Sequence, residues 1–229
     1  MLTLILAESS IELVPNEITG HPAIVRWAER KKKKDPRQLI LDQSYHHSAI
    51  LGLGKSGIGR GRPDIVHFCL LLALGSPLNS DNQLTCFVHT RDDQVITINP
   101  RTRLPRSTDR FIALIEQLYQ SSMVPSSGPP LMKLRRESLK DLLSKISPDS
   151  ILALTTLGLP KPIEAVAAGL REAKRPVLIV GGFPVGHFSD QTMKLASEKF
   201  RIDSRKLEAW TVVGRAVYDY ERAIGTERF

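Results

Sequence analysis

Cysteine is scarce in this chain and long apolar runs are missing, and each shortage removes a class of protein. Cys69 and Cys86 are the only cysteines among 229 residues, and both stand in apolar stretches, HFCLLLAL and LTCFVHT. Neither a disulfide framework nor a cysteine-based zinc site can be built from them, so buried thiols in a reducing compartment are expected. No stretch reaches the roughly 18 consecutive apolar residues that a membrane span needs. The start, MLTLILAESSIELVP, has no basic segment ahead of its short apolar run, which argues against a signal peptide. A cytoplasmic protein with no membrane partner is the expectation. His46, His47, His67 and His89 lack zinc-motif spacing; packed, hydrogen-bonded histidines are expected, and no metal is.

What is present is a normal core and an excess of positive charge. With 41% hydrophobic residues the chain can fold without staples, as one domain over 1–229. Lysine and arginine number 32 against 24 aspartates and glutamates, a net charge of +8. A polyanion is the natural partner for such a surface, because a cation placed beside a phosphate releases condensed counterions. A basic protein with no nucleic-acid partner fits the same composition.

Periodicity divides the chain into an irregular first half and an alternating second half. Leu2–Leu6 reads as a buried strand and Ala23–Arg30 as a helix running into the solvated lysines 31–34. The glycine-rich, basic stretch from Leu51 to Gly61 reads as a loop, and Pro63 then starts a helix through Ile65, Phe68 and Leu72. Leu84–His89 and Gln94–Ile98 form a predicted hairpin. An arginine-rich loop from Asn99 to Arg110 enters a helix marked by Phe111, Leu114, Ile115 and Leu118, and VPSSGPP from Val124 is a break. Strands at Ile151–Thr155 and Val177–Val180 then alternate with helices at Pro162–Ala173, Asp190–Lys199 and Leu207–Glu221, the pattern of an α/β layer with a parallel sheet and helices on both faces.

Three loops of this second half stand at sheet edges. PVLIVGGFPVGHF carries Gly181, Gly182 and Gly186, which let backbone approach a ligand and expose amides to it. The spacing fits neither a dinucleotide fingerprint nor a Walker loop, and no lysine sits in it to reach a phosphate. Thr155–Pro160 precedes it and Ile202–Leu207 follows. Together they could wrap a small cofactor, or simply connect elements.

The strings Asp42–His47 (DQSYHH), Arg60–His67 (RGRPDIVH), Ser76–Asn79 (SPLN), Val88–Thr90 (VHT), Ile98–Arg106 (INPRTRLPR) and Phe111, in that order and separation, resemble archaeal and eukaryotic ribosome-biogenesis proteins of the SPOUT methyltransferase superfamily, which methylate pseudouridine at ring nitrogen 1. The resemblance covers nearly the whole chain. It implies a SPOUT-type fold with a C-terminal trefoil knot, a homodimer packed near the three loops, S-adenosylmethionine as cofactor and small-subunit ribosomal RNA as substrate. RNA-binding elements are expected mainly in 31–110 and the cofactor-binding knot mainly in 150–225. By position, cofactor binding would fall to Leu157, to Gly181 with Gly186, His187 and Phe188, and to Ile202, Asp203, Ser204, Arg205, Lys206 and Leu207. The RNA site would draw on Arg62, Arg103, Arg106 and Arg110.

Arg62 and Asp64 are the expected catalytic pair. An arginine fork can bind phosphate or stack on a base, and a carboxylate two residues away can hold it in place. Asp64 could instead accept the pseudouridine N1 proton, or merely face the helix dipole. Two rivals remain at this level: a non-enzymatic ribosomal-RNA-binding assembly factor, and a nucleotide-binding enzyme using Gly181–Gly186.

Overall fold

The computed structural model describes residues 1–33 and 35–225; Lys34, which closes the lysine run, and residues 226–229 lie outside the described residues. In chain order the elements are β1 (Leu2–Ser9), α1 (Pro22–Arg30), α2 (Gln43–Gly52), α3 (Pro63–Leu74), α4 (Pro77–Ser80), β2 (Leu84–Thr90), β3 (Gln94–Ile98), α5 (Thr108–Ser121), β4 (Met123–Val124), β5 (Met132–Arg136), α6 (Leu139–Ile146), β6 (Ser150–Pro160), α7 (Ile163–Glu172), β7 (Pro176–Gly181), α8 (Asp190–Leu195), β8 (Glu198–Arg201) and α9 (Ala209–Ile224).

One eight-stranded sheet, in the order β4-β5-β3-β2-β1-β7-β6-β8, runs through the molecule. From β2 to β8 the strands are parallel, and the predicted β2–β3 hairpin begins an antiparallel flank that continues through β5 and β4. β1 lies in the middle. Leu2, Leu4 and Leu6 point into one core with α3, α5, α7 and α9, while Ile5 and Ala7 point to the opposite face, against α6, Phe188 and the end of α8. A strand covered on both faces is apolar at nearly every position, which is why LTLILA reads as an almost continuous run broken only by the buried Thr3. Each such leucine or isoleucine contributes about 1.5–3 kcal/mol by leaving water. A smaller cluster, with Val14, Ile24, Leu41 and Ile50 among its members, seats α1 and α2 beside the sheet.

Local chemistry sets the element ends. Pro63 opens α3 with Arg62 as its N-cap residue, where a missing N–H costs nothing. The Asp42 carboxylate caps α2 by accepting from the Ser44 amide at 2.8 Å. The Ser138 hydroxyl caps α6 by accepting from the Asp141 amide.

The structure departs from the sequence reading in the last third. The expected helix 190–199 ends at Leu195, because residues 198–201 are drawn into parallel pairing with β6 as the edge strand β8. The loop expected after Ile151–Thr155 is an excursion within one long strand: Leu154 and Leu159 both stand opposite Phe200, and residues 155–158 bulge out between them. The lysines after α1 are engaged: Lys33 pairs with the buried Glu116 carboxylate at 3.6 Å and Lys31 lies 4.0 Å from Asp109. Among the described residues no helix is long and apolar enough to cross a membrane.

Candidate functional site

The carboxyl ends of β6, β7 and β8 lie side by side, which is where open α/β sheets bind ligands. The 155–158 bulge, the loop from Gly181 to Ser189 and the segment Ile202–Leu207 enclose a pocket of about 680 Å³, its open mouth included. The size suits a nucleoside-sized ligand. Gly181, Gly186, His187 and Phe188 line it from the second loop, and Ile202, Asp203, Arg205, Lys206 and Leu207 from the third. Leu157 and Ser204 do not: Leu157 is 61% exposed at the apex of the bulge. Thr155 and Thr156, from the first of the three expected loops, line the pocket as well, and the walls that sequence reading missed include Leu154, Phe200, Ala209 and Val212, supplied by strand and helix ends whose register only the folded sheet fixes.

Side chains brace the three loops against one another. Lys206 Nζ donates to the Pro184 carbonyl at 2.8 Å, tying third loop to second. Thr156 Oγ1 and His187 Nδ1 are 3.4 Å apart, joining first to second. Asp203 accepts from the Arg205 amide and guanidinium at 3.0–3.1 Å and from Arg215 at 3.4 Å; the Arg205 hydrogen bonds, above all, hold its carboxyl well below the usual range. The two cations of IDSRKL thus act within the protein as loop ties. Gly186 turns the second loop at φ 95°, a region open to glycine.

Glu8 was not expected here. It stands one residue before the end of β1 at φ 51°, an uncommon backbone state for a residue with a Cβ and one that often marks function. Its carboxylate accepts from the Ser189 amide at 3.0 and 3.1 Å and from the Ser189 hydroxyl at 2.6 Å. Its amide donates to His89 Nδ1 at 3.3 Å, which leaves the His89 Nε2–H for Asp93 at 3.0 Å. The second loop is thereby fastened to the centre of the sheet. Replacing Glu8 by alanine is expected to weaken binding of S-adenosylmethionine, the cofactor that the sequence resemblance implies, by roughly tenfold, about the value of one charge-assisted hydrogen bond. Unchanged affinity by calorimetry would show that the loop stands without the tie.

Arg62 leaves the main chain beside this region, its amide donating to the Ser10 carbonyl at 3.0 Å. Its guanidinium donates to both Asp64 oxygens at 2.8 Å, a two-point fork. That pairing raises the guanidinium pKa, and attraction to Glu208, the residue after the third loop, adds to it. Ser10 in turn donates its amide to the Gly182 carbonyl at 2.9 Å, so the fork is linked through the main chain to the second loop. Arg103, Arg106 and Arg110 are exposed, and no hydrogen bond or ion pair engages their side chains among the described residues. Arg101 is exposed as well, its amide bound to the Asn99 side chain.

The histidines divide as packing dictates. His46 is fully buried and its Nδ1 accepts from the Asp42 amide; burial pushes its pKa down to about 4. His67 stacks on Phe111 at 4.4 Å and hydrogen-bonds the Pro105 carbonyl at 2.7 Å, anchoring the arginine loop to α3. Cys69 and Cys86 are buried free thiols, with burial raising the Cys86 pKa to about 12. Among the described residues no cluster of three or more histidine, cysteine, aspartate or glutamate side chains could hold a metal.

Known proteins resemble this chain over nearly its whole length. The chain is 45% identical over 223 residues to the ribosomal RNA small subunit methyltransferase Nep1 of Pyrococcus furiosus, covering 96% of both chains. It is 42% identical over 224 residues to the protein of the same name from Thermococcus onnurineus, covering 96% of this chain and 98% of the other. The crystal structure of Archaeoglobus fulgidus Nep1 bound to S-adenosylhomocysteine superposes with a TM-score of 0.85 at 31% identity, covering 97% of this chain and 98% of that one. The sequence profile of the EMG1/NEP1 methyltransferases matches residues 4–221, and this chain belongs to that family.

Proposed function

We propose that this methyltransferase transfers a methyl group from S-adenosylmethionine to ring nitrogen 1 of a pseudouridine in small-subunit ribosomal RNA, acting in the cytoplasm in small-subunit biogenesis. The observation that carries the reading is the Arg62–Asp64 fork, whose main chain is tied through Ser10 to Gly182 of the second pocket loop. One side of that junction suits a cofactor, the other an RNA base.

The pocket fits the cofactor by its chemistry: apolar Leu154, Val180 and Phe200 alternate with backbone from glycine-containing loops, a lining suited to a nucleoside flanked by hydrogen-bonding groups. The second loop, with Gly181, Gly186, His187 and Phe188, and the third, from Ile202 to Leu207, would hold it. When bound, it supplies an electrophilic methyl group whose sulfonium carrier departs as a neutral thioether. The protein then has little acid catalysis to perform and must chiefly align the nucleophile. Arg62 stabilises negative charge developing on the base carbonyls as the N1 proton passes to solvent water, and Asp64 fixes the direction of the fork. Arg103, Arg106 and Arg110, exposed and uncommitted, bind the backbone of the RNA around the target.

The family likeness also supports one domain over the whole chain, a trefoil knot within 150–225 and a homodimer. Phe68, Leu72 and Tyr218 on α3 and α9 are 40%, 46% and 56% exposed, an apolar face beside the third loop suited to a second copy.

The test is transfer of labelled methyl from S-adenosylmethionine to paired RNA hairpins carrying uridine or pseudouridine at one loop position. Transfer confined to the pseudouridine hairpin is expected. Equal binding of both without transfer would replace the enzyme with an assembly factor, and transfer to uridine would overturn the stated substrate.

A further inference from the structure

One exposed feature has no part in the site so far: Trp27 of α1 and Tyr45 of α2 stack face to face, ring centroids 3.7 Å apart and 17° from parallel. Tyr45 is 39% exposed. Arg30 and Lys31 hold their cationic ends 5.3 and 5.0 Å from the centre of the Trp27 ring. The small cluster between α1 and α2 would be closed by an aliphatic side chain as well. A parallel aromatic pair at the surface, rimmed with cations, is a continuation point for stacking.

Its position matters more than its composition. The Gln43 amide, at the first turn of α2, donates to the Gly61 carbonyl at 2.8 Å, so Tyr45 projects from the helix end that is tied to the residue before Arg62. Asp42, the cap of that helix, contributes to the field on both Arg62 and Tyr45. On the other side the Tyr45 hydroxyl donates to Asp109 at 3.4 Å, next to Arg110 and at the start of the helix that follows the arginine loop. The aromatic pair therefore stands between the Arg62–Asp64 fork and the exposed arginines. The Asp109 carboxylate sits at the tyrosine hydroxyl edge; it disfavours a phosphate there and leaves the neutral face of a base as the group that fits.

We infer that Tyr45, backed by Trp27, is a stacking platform for an unpaired nucleobase of the RNA next to the target nucleotide. The inference rests on the RNA-methyltransferase reading. Presenting a ring nitrogen to a cofactor requires taking that base out of its stack, which strips its neighbour of a partner, and an aromatic ring restores the lost contact. Base–aromatic stacking is worth about 1–3 kcal/mol, or roughly 5- to 150-fold in affinity.

The experiment uses the pseudouridine hairpin with 2-aminopurine placed in turn at the positions flanking the target. Wild-type protein is expected to quench the fluorescence at one of them, and Tyr45→Ala to remove that quenching and weaken binding roughly tenfold. Tyr45→Phe, which keeps the ring, is expected to bind as wild type does. The salt dependence of binding should be the same in all three, because no phosphate contact changes. Wild-type affinity in Tyr45→Ala, equal loss in Tyr45→Phe, or a shallower salt dependence would each overturn the platform. Wild-type protein that binds no hairpin would instead remove the RNA reading, and the platform with it.

Discussion

Arg62→Ala is expected to lower methyl transfer to the pseudouridine hairpin by about 10²- to 10³-fold, the range seen when one preorganised donor to a developing negative charge is removed. S-adenosylhomocysteine should still bind within about twofold of wild type, since Arg62 does not line the pocket and a change confined to the transition state leaves ground-state binding alone. Asp64→Asn separates the two roles open to the carboxylate. Asp64 binds Arg62 through both oxygens, so if it only orients the fork, Asp64→Asn should add nothing in an Arg62→Ala background. A further loss in the double variant would mean that it also takes the N1 proton. A double-mutant cycle in kcat/KM, with calorimetric Kd for S-adenosylhomocysteine, makes the measurement. Activity retained in Arg62→Ala would remove Arg62 from the mechanism.

A comparable loss is expected from a single methyl group at Gly158. A Cβ there would lie 2.5–2.6 Å from the backbone carbon, Cα and nitrogen of Phe200. Backbone cannot rotate aside, so β6 and β8 must separate at the point where residues 155–158 bulge. Overpacking of this kind costs about 1–3 kcal/mol of stability. The functional cost is larger, because Phe200 is part of the pocket wall and misplacing a positioning element by an ångström can cost about 100-fold in rate. Gly158→Ala should therefore show a moderate fall in Tm and a severe fall in methyl transfer, and Gly169→Ala, a helical position with open space around the new Cβ, should show neither. Normal transfer by Gly158→Ala would mean that the strands part without disturbing the pocket.

The sequence made the central strands and the main helices legible because burial on two faces or one stripe leaves a period that composition cannot hide. β1, β7, α3, α5, α7 and α9 all carry it. β8 was not legible: EKFR is four residues with one buried side chain, and the preceding helical pattern ran on through it until pairing with β6 decided the matter. α2 and α6 were missed although Asp42 and Ser138 are ordinary caps, because α2 lies in a stretch that also displays glycine and basic residues. The arginines of the candidate RNA face stood out as a run. Glu8 and Phe200 did not, since the loop tie of the first and the pocket wall of the second depend on a left-handed backbone turn and a strand register, neither of which has a local signature.

Placing the first strand in the middle of the sheet also sets the order of events during synthesis. β1 needs β2 on one side, available once residue 90 or so has been made, and β7 on the other, which begins at Pro176. Until then an apolar ribbon has an open hydrogen-bonding edge, the condition under which nascent chains associate wrongly. The Glu8–Ser189 tie closes still later in the chain. Productive folding must therefore wait for most of the polypeptide to leave the ribosome, and a chain cut short before Pro176 would carry its most aggregation-prone segment uncovered.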